Sequence, residues 1–117
     1  MPVDRSLADE DYCYLTTTGR VTGLAREIEI WFGLDRETLY MLSGGRDRSD
    51  WVRNLIREPR VSVRIAARIL DGRARIVTSA EEAARARRLL VDKYAPRYGG
   101  DLSNWRETAL PIAVDLE

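Results

Sequence analysis

From Glu27 to Leu34 the side chains alternate without a break: Ile28, Ile30, Phe32 and Leu34 fall on one face, Glu27, Glu29 and Trp31 on the other. A repeat of two belongs to an extended chain half covered by a core, because a helix would scatter those apolar residues around its axis. Other segments read the same way. Tyr12 to Thr18 is dense in aromatic and β-branched residues that suit a pleated surface. Thr38 to Ser43 follows the polar link Asp35-Arg36-Glu37 as a hairpin partner. Arg60 to Ile65 and Arg68 to Val77 form a second hairpin, and Pro111 to Glu117 turns Ile112, Val114 and Leu116 inward as a last strand.

Two helices interrupt this pattern. Ser49 is placed to cap a short one carrying Trp51, Val52, Leu55 and Ile56, which Pro59 stops. Ser79-Ala80-Glu81-Glu82 has the spacing of a capping box and opens a longer helix reaching about Tyr94, with Glu81 placed to pair with Arg85 one turn on. Three strands, a helix, two strands, a helix and a strand is not the alternation of a parallel sheet. The expected fold is mainly β with two or three helices, a closed or nearly closed six-stranded antiparallel barrel, since closure would hide strand edges. Residues 1–11 read as an N-terminal arm and residues 12–117 as a single domain.

Composition narrows the chemistry. Basic and acidic residues balance at 19 each, so the overall charge that phosphate-driven nucleic-acid binding needs is missing. No stretch is long and apolar enough to span a membrane and the N-terminus carries no apolar signal region, so a cytoplasmic location is expected. There is no histidine and one cysteine, Cys13, which removes the commonest metal ligand and general base; no metal site is expected, and Cys13 reads as a small buried hydrophobe. All the basic residues but Lys93 are arginine.

What remains is two glycine loops bearing arginine, Gly19 to Gly23 and Gly44 to Arg48, the second running into a helix N-terminus at about Asp50. Backbone N–H groups, the helix dipole and guanidinium forks together favour an anion such as a phosphate. Trp31, on the polar face of its strand, and Trp51, beside the second loop, are flat surfaces of the kind a heteroaromatic ligand uses. Asn54 lies one turn from Trp51, reads as exposed, and offers a donor and an acceptor on the same face.

Tyr14-Leu15-Thr16-Thr17-Thr18-Gly19-Arg20-Val21-Thr22-Gly23, Ser43-Gly44-Gly45, Trp51-Val52-Arg53-Asn54-Leu55, Glu58-Pro59-Arg60-Val61 and Leu110-Pro111-Ile112-Ala113-Val114 together resemble the deazaflavin-dependent nitroreductase family. That family has a split β-barrel related to the pyridoxamine phosphate oxidases. The resemblance implies a reductase using the deazaflavin coenzyme F420, its phosphate and oligoglutamate tail held by basic loops, on a small acceptor such as an activated alkene, a nitro compound or a quinone. It implies Arg20, Thr22 and Arg26 in the first binding loop, Ser43, Gly44, Gly45 and Arg46 in the second, and Trp51 and Asn54 on the helix flanking the cofactor. Tyr94 and Tyr98 stand where relatives place aromatic residues around the substrate, and either could carry the acceptor's proton. Relatives commonly have lysine where this chain has Val21, so a phosphate or tail contact is either missing or supplied by Arg46 or Arg48. That departure keeps two alternatives open, FMN in the same barrel and a non-catalytic binder of a cofactor or lipid-like molecule. Split barrels of this type often pair, so a homodimer is among the expectations.

Overall fold

A computed structural model describes residues 5–117; residues 1–4, part of the expected arm, lie outside the described residues. The described part of the arm forms a 3-10 turn over Arg5–Asp9 that buries Leu7 in the core. The strands are β1 (Cys13–Thr18), β2 (Ala25–Ile30), β3 (Gly33–Asp35), β4 (Thr38–Ser43), β5 (Arg60–Ile65), β6 (Arg68–Ile76) and β7 (Leu110–Leu116). The helices are α1 (Asp50–Arg57), α2 (Ala80–Tyr94) and α3 (Ser103–Thr108). The strands form one antiparallel sheet in the order β2-β1-β5-β6-β7-β4-β3, curled into an open half-barrel.

The count is seven strands, not six, because the alternating segment read as one strand changes partner midway. Its first half pairs with β1 from Thr18↔Ala25 to Cys13↔Ile30, and its second half pairs with β4 from Gly33↔Tyr40 to Asp35↔Thr38. Between them Phe32 leaves the ladder. Its N–H donates to the Tyr94 hydroxyl at 3.0 Å, and its carbonyl accepts from Lys93 Nζ at 3.0 Å. The chain thereby crosses from one edge of the curled sheet to the other while its buried polar groups stay satisfied.

Two cores follow from the curl. Leu15, Phe32, Leu39, Met41, Val63, Ile65, Ile112 and Val114 fill its inside, with Val52 and Leu55 of α1 among them. Outside it, α2 lays Ala86, Leu90 and Tyr94 over Tyr40, Leu42 and Ala113. β4 and β7 are therefore buried on both faces, and neither alternates as an exposed strand would. β6 passes close to β7 at Gly72, where a Cβ would stand 2.7 Å from Val114 Cγ1 and 2.8 Å from the Asp115 carbonyl oxygen.

Three local expectations need correction. Ser79 accepts from the Glu82 N–H at 3.2 Å, but the Glu82 carboxylate turns to Arg75 and Tyr40 instead of completing the capping box. Ser49 makes no side-chain cap to α1, because its hydroxyl shares a 3.0 Å hydrogen bond with that of Ser43. Arg85 pairs with Asp35 at 3.5 Å across the fold, in place of Glu81 along its own helix. α3 is the third of the two or three helices expected, at a place the sequence pattern does not mark: it is short, Trp105 is its one large apolar residue, and Asp101 takes both the N–H and the hydroxyl of Ser103 at its start.

Candidate functional site

A groove of about 620 Å³ opens between the β1–β2 hairpin and α1, lined among others by Thr17, Arg20, Thr22, Arg26, Ile28, Trp51 and Asn54. The hairpin loop is braced from within. Gly19 N–H donates to the Leu24 carbonyl at 2.7 Å, Gly23 N–H to the Gly19 carbonyl at 2.8 Å, and Thr22 Oγ1 accepts from Leu24 N–H at 3.2 Å. Gly23 closes the turn at a φ of +74°, which a side chain would strain.

Asn54 ties this loop to the helix. It is 4% exposed, so the expectation of an exposed side chain does not hold, although it still lines the groove. Its Oδ1 accepts from the Arg20 N–H at 3.2 Å and from Arg20 Nη1 at 2.9 Å, and its Nδ2 donates to Thr17 Oγ1 at 3.2 Å. Arg20 also donates to the Asp50 carboxylate at 3.0 Å. Both residues expected to grip a ligand thus hold the groove's walls together. Arg26 differs: its guanidinium has no ion pair or hydrogen bond among the described residues, and it lines the groove. Trp51 is half-buried, one side on the inner core and the other on the groove.

The second loop stands apart from the groove. Ser43 is buried and donates to the Arg46 carbonyl at 2.9 Å; Gly44 faces Trp105; Gly45 lies against Ser49 too closely for a Cβ. Arg46 adopts a φ of +57° and donates through Nε to the Thr108 carbonyl at 2.8 Å, which fastens α3 to the loop. The structure therefore joins Arg20, Thr22, Arg26, Trp51 and Asn54 in one groove and leaves Ser43, Gly44, Gly45 and Arg46 out of its lining.

The tyrosines also lie outside the groove. Tyr94 is 1% exposed, stacks on Trp31 with ring centroids 4.2 Å apart, and directs its hydroxyl to the Asp11 carbonyl at 2.7 Å. Burial pushes its pKa up to about 12, so it holds its proton at neutral pH. Tyr98 is exposed and meets Trp31 edge-on at 5.6 Å, as Trp105 does from another side. Trp31 is thus packed into this aromatic cluster and is not offered from a polar strand face. Cys13 is buried, and burial raises its thiol to about 12, which leaves it unreactive.

The larger cavity, about 1380 Å³, lies at Asp35, Arg36, Tyr40, Glu82 and Arg85. Its inner polar groups answer one another, while the exposed Arg5, Arg36 and Glu37 of its lining have no side-chain partner among the described residues. Tyr40 donates to Glu82 at 2.6 Å, Arg75 grips Glu82 with two bonds at 2.7 and 2.8 Å, and Arg75 also reaches Asp115 at 2.8 Å. Arg75 first, then Tyr40, holds the Glu82 carboxyl down at about 2. Size favours this cavity; the groove is favoured because it gathers Arg20, Thr22, Arg26, Trp51 and Asn54, five of the residues expected at the cofactor.

Residues the sequence reading passed over complete the groove: Thr17, Glu27, Ile28 and Asp50. The run Thr16-Thr17-Thr18 was visible, but only the Asn54 contact singles out the middle one. No helix among the described residues is long and apolar enough to cross a membrane.

Comparison with known proteins bears on this arrangement. The model of the F420H2-dependent quinone reductase family matches residues 2–117. Among solved structures, an F420-H2 dependent reductase superposes with a TM-score of 0.72 at 20% identity, covering 89% of this chain and 93% of that one. A Listeria innocua protein provisionally assigned as a pyridoxamine 5'-phosphate oxidase gives 0.70 at 19% identity, covering 95% and 87%. A chain described as a domain-swapped dimer gives 0.71 at 24% identity, covering 96% and 81%. At these identities the structural likeness speaks for the fold alone.

Proposed function

The chain belongs to the F420H2-dependent quinone reductase family, and from that premise we propose that it passes a hydride from reduced F420 to a flat organic acceptor, a quinone, nitro compound or activated alkene. The carrying observation is the groove that Arg26, unpaired among the described residues, lines together with the half-buried Trp51. Its donor set suits the coenzyme: a guanidinium and the Thr22 hydroxyl for a phosphate, Trp51 and Ile28 for a planar ring. When bound, the reduced deazaflavin supplies the hydride. The protein's own contribution is orientation and exclusion of water, which needs no histidine.

Asn54 acts as a positioning residue, fixing Arg20 and the hairpin loop against α1 so that the groove keeps its width. Tyr94 positions too, holding Trp31 flat by stacking and Phe32 by its hydroxyl. Tyr98, exposed at the rim of the aromatic cluster and outside the groove, is left with a packing role on Trp31, and solvent supplies the acceptor's proton. For Ser43, Gly44, Gly45 and Arg46 the reading is support of α3 and its Trp105. The neighbour described as a domain-swapped dimer, with β2 left as a sheet edge here, supports a homodimer as the assembly.

Fluorescence titration with F420 and with FMN tests the cofactor side, and oxidation of F420H2 with a quinone or nitroaromatic tests the chemistry. F420 should bind tighter and be turned over. Tighter binding of FMN, or binding of F420 without turnover of any acceptor, would defeat the proposal.

A further inference from the structure

One face of the sheet has no core of its own. α2 lies on β3, β4 and β7, and α1 reaches β1 and β6 from inside the curl, where Val52 and Leu55 join Leu15 and Val63. Among the described residues, none of β1, β2 or β5 belongs to the outer core that α2 and Trp105 complete. Their outer face is left to its own side chains. The strand registers set these in two rows: Glu29, Tyr14, Arg64 and Ile69 side by side, and Glu27, Thr16, Ser62 and Asp71 next to them. In the first row the Tyr14 hydroxyl donates to Glu29 at 2.8 Å, and the Arg64 guanidinium lies 4.2 Å from the centre of the Tyr14 ring. Arg64 has no ion pair among the described residues, and Ile69 beside it is 69% exposed. The order across the strands is acid on β2, ring on β1, cation on β5.

We infer that a second copy of this chain packs face to face on this surface, about a two-fold axis running along β1. The inference rests on the homodimer reading above and is independent of the coenzyme. Sheets packed face to face keep their strands within about 30° of each other, so rows meet rows. Rotation about β1 lays β2 on β5 of the second copy. Each Glu29 then meets an unpaired Arg64, each Glu27 meets Ser62, and Tyr14 and Thr16 meet their own counterparts. Charge selects this axis over its neighbours. An axis along β5 would set Arg64 on Arg64, and one between β1 and β5 would set Glu27 on Asp71. Three strands of six residues, at about 4.8 Å between strands and about 3.4 Å per residue, give a footprint of about 14 by 20 Å. That is small for a permanent interface, so the pairing is reversible. It also covers the outer side of β2, the edge strand that carries Arg26.

Sedimentation velocity over a range of protein concentrations, with melting curves for every variant, tests the assignment. The parent should pass from monomer to dimer as its concentration rises. Glu29→Arg and Arg64→Glu should each bring like charges together in a homodimer and weaken it about tenfold or more, with melting close to that of the parent. Mixing the two variants should restore pairing, because each offers the charge that the other lacks, and added salt should weaken the mixed pair. Damage to the fold of either variant could not be repaired by mixing.

A parent that stays monomeric at every concentration would remove the homodimer reading together with this face. A dimer that neither reversal weakens, or two weakened variants whose mixture stays monomeric, would overturn the inference and leave the homodimer on another surface.

Discussion

The groove at Arg26 and the cavity at Tyr40 hold similar residues, arginines beside carboxylates and one large aromatic ring, yet they differ in how their inner groups are paired. At Tyr40 the inner groups close on one another, the hydroxyl on Glu82, Glu82 on Arg75, Arg75 on Asp115, and the unpaired cations among the described residues, Arg5 and Arg36, are exposed at the rim. At Arg26 the guanidinium is free while its neighbour Arg20 is used to hold the wall. The lesson is that abundance of charge does not mark a binding site. A closed network contributes stability and has no capacity left for a ligand, whereas a free group at the end of a braced loop has it.

Glu82→Ala gives the largest expected effect. It leaves the buried Tyr40 hydroxyl without its acceptor and Arg75 without its bidentate partner, so we expect a loss of about 2 to 4 kcal/mol in urea unfolding. F420 affinity of the folded protein should not change. A large loss of affinity at full stability would reverse the assignment of the two regions.

Asn54→Ala should cost about 1 to 3 kcal/mol, because the Arg20 N–H and Thr17 hydroxyl lose a buried partner. It should also weaken the cofactor severalfold by loosening the hairpin loop. Asn54→Asp keeps the acceptor for Arg20 and should recover much of the binding. If Asn54→Ala melts like the parent, the loop is held by other contacts and the bracing argument fails.

Trp51→Phe keeps a ring on the inner core and should lower stability by less than about 1.5 kcal/mol, while a smaller face toward the groove weakens the coenzyme about fivefold. Paired melting and fluorescence titrations read both. A variant that loses stability alone would make Trp51 a packing residue and remove the aromatic wall from the site.

The smallest effect separates the regions by pH. Glu82 has its carboxyl lowered from 4.5 to about 2, so its contribution is fully present above the unfolded value and is lost as pH falls from about 4.5 toward 2. Lys93 is shifted the other way from most lysines, lowered from 10.5 to about 8 by burial and then by Arg97, with its ammonium 3.7 Å above the Phe32 ring and no carboxylate bonded to it among the described residues. The unfolded chain binds that proton more readily, so stability should rise with pH between about 8 and 10.5. Lys93→Met should flatten the alkaline rise and Glu82→Gln the acid loss. Unfolding curves across pH check both.

The alternating segments were legible as strands because a period of two leaves a strand no choice of face, and Ser79 and Pro59 marked helix ends through backbone chemistry that acts within a few residues. What a neighbouring element does to a side chain is not written locally. In sequence Arg20 and Arg26 are equivalent arginines on one hairpin, and Asn54 reads as an exposed polar residue on a helix. Only when α1 packs beside that hairpin does Asp50 take one arginine, Asn54 sink to 4% exposure, and Arg26 remain free. The split of the alternating strand at Trp31 and Phe32 has the same origin. The pattern determines which residues face the core; the curl of the sheet, set by contacts far apart in the chain, decides where the strand exchanges β1 for β4 and which charges are left over for a ligand.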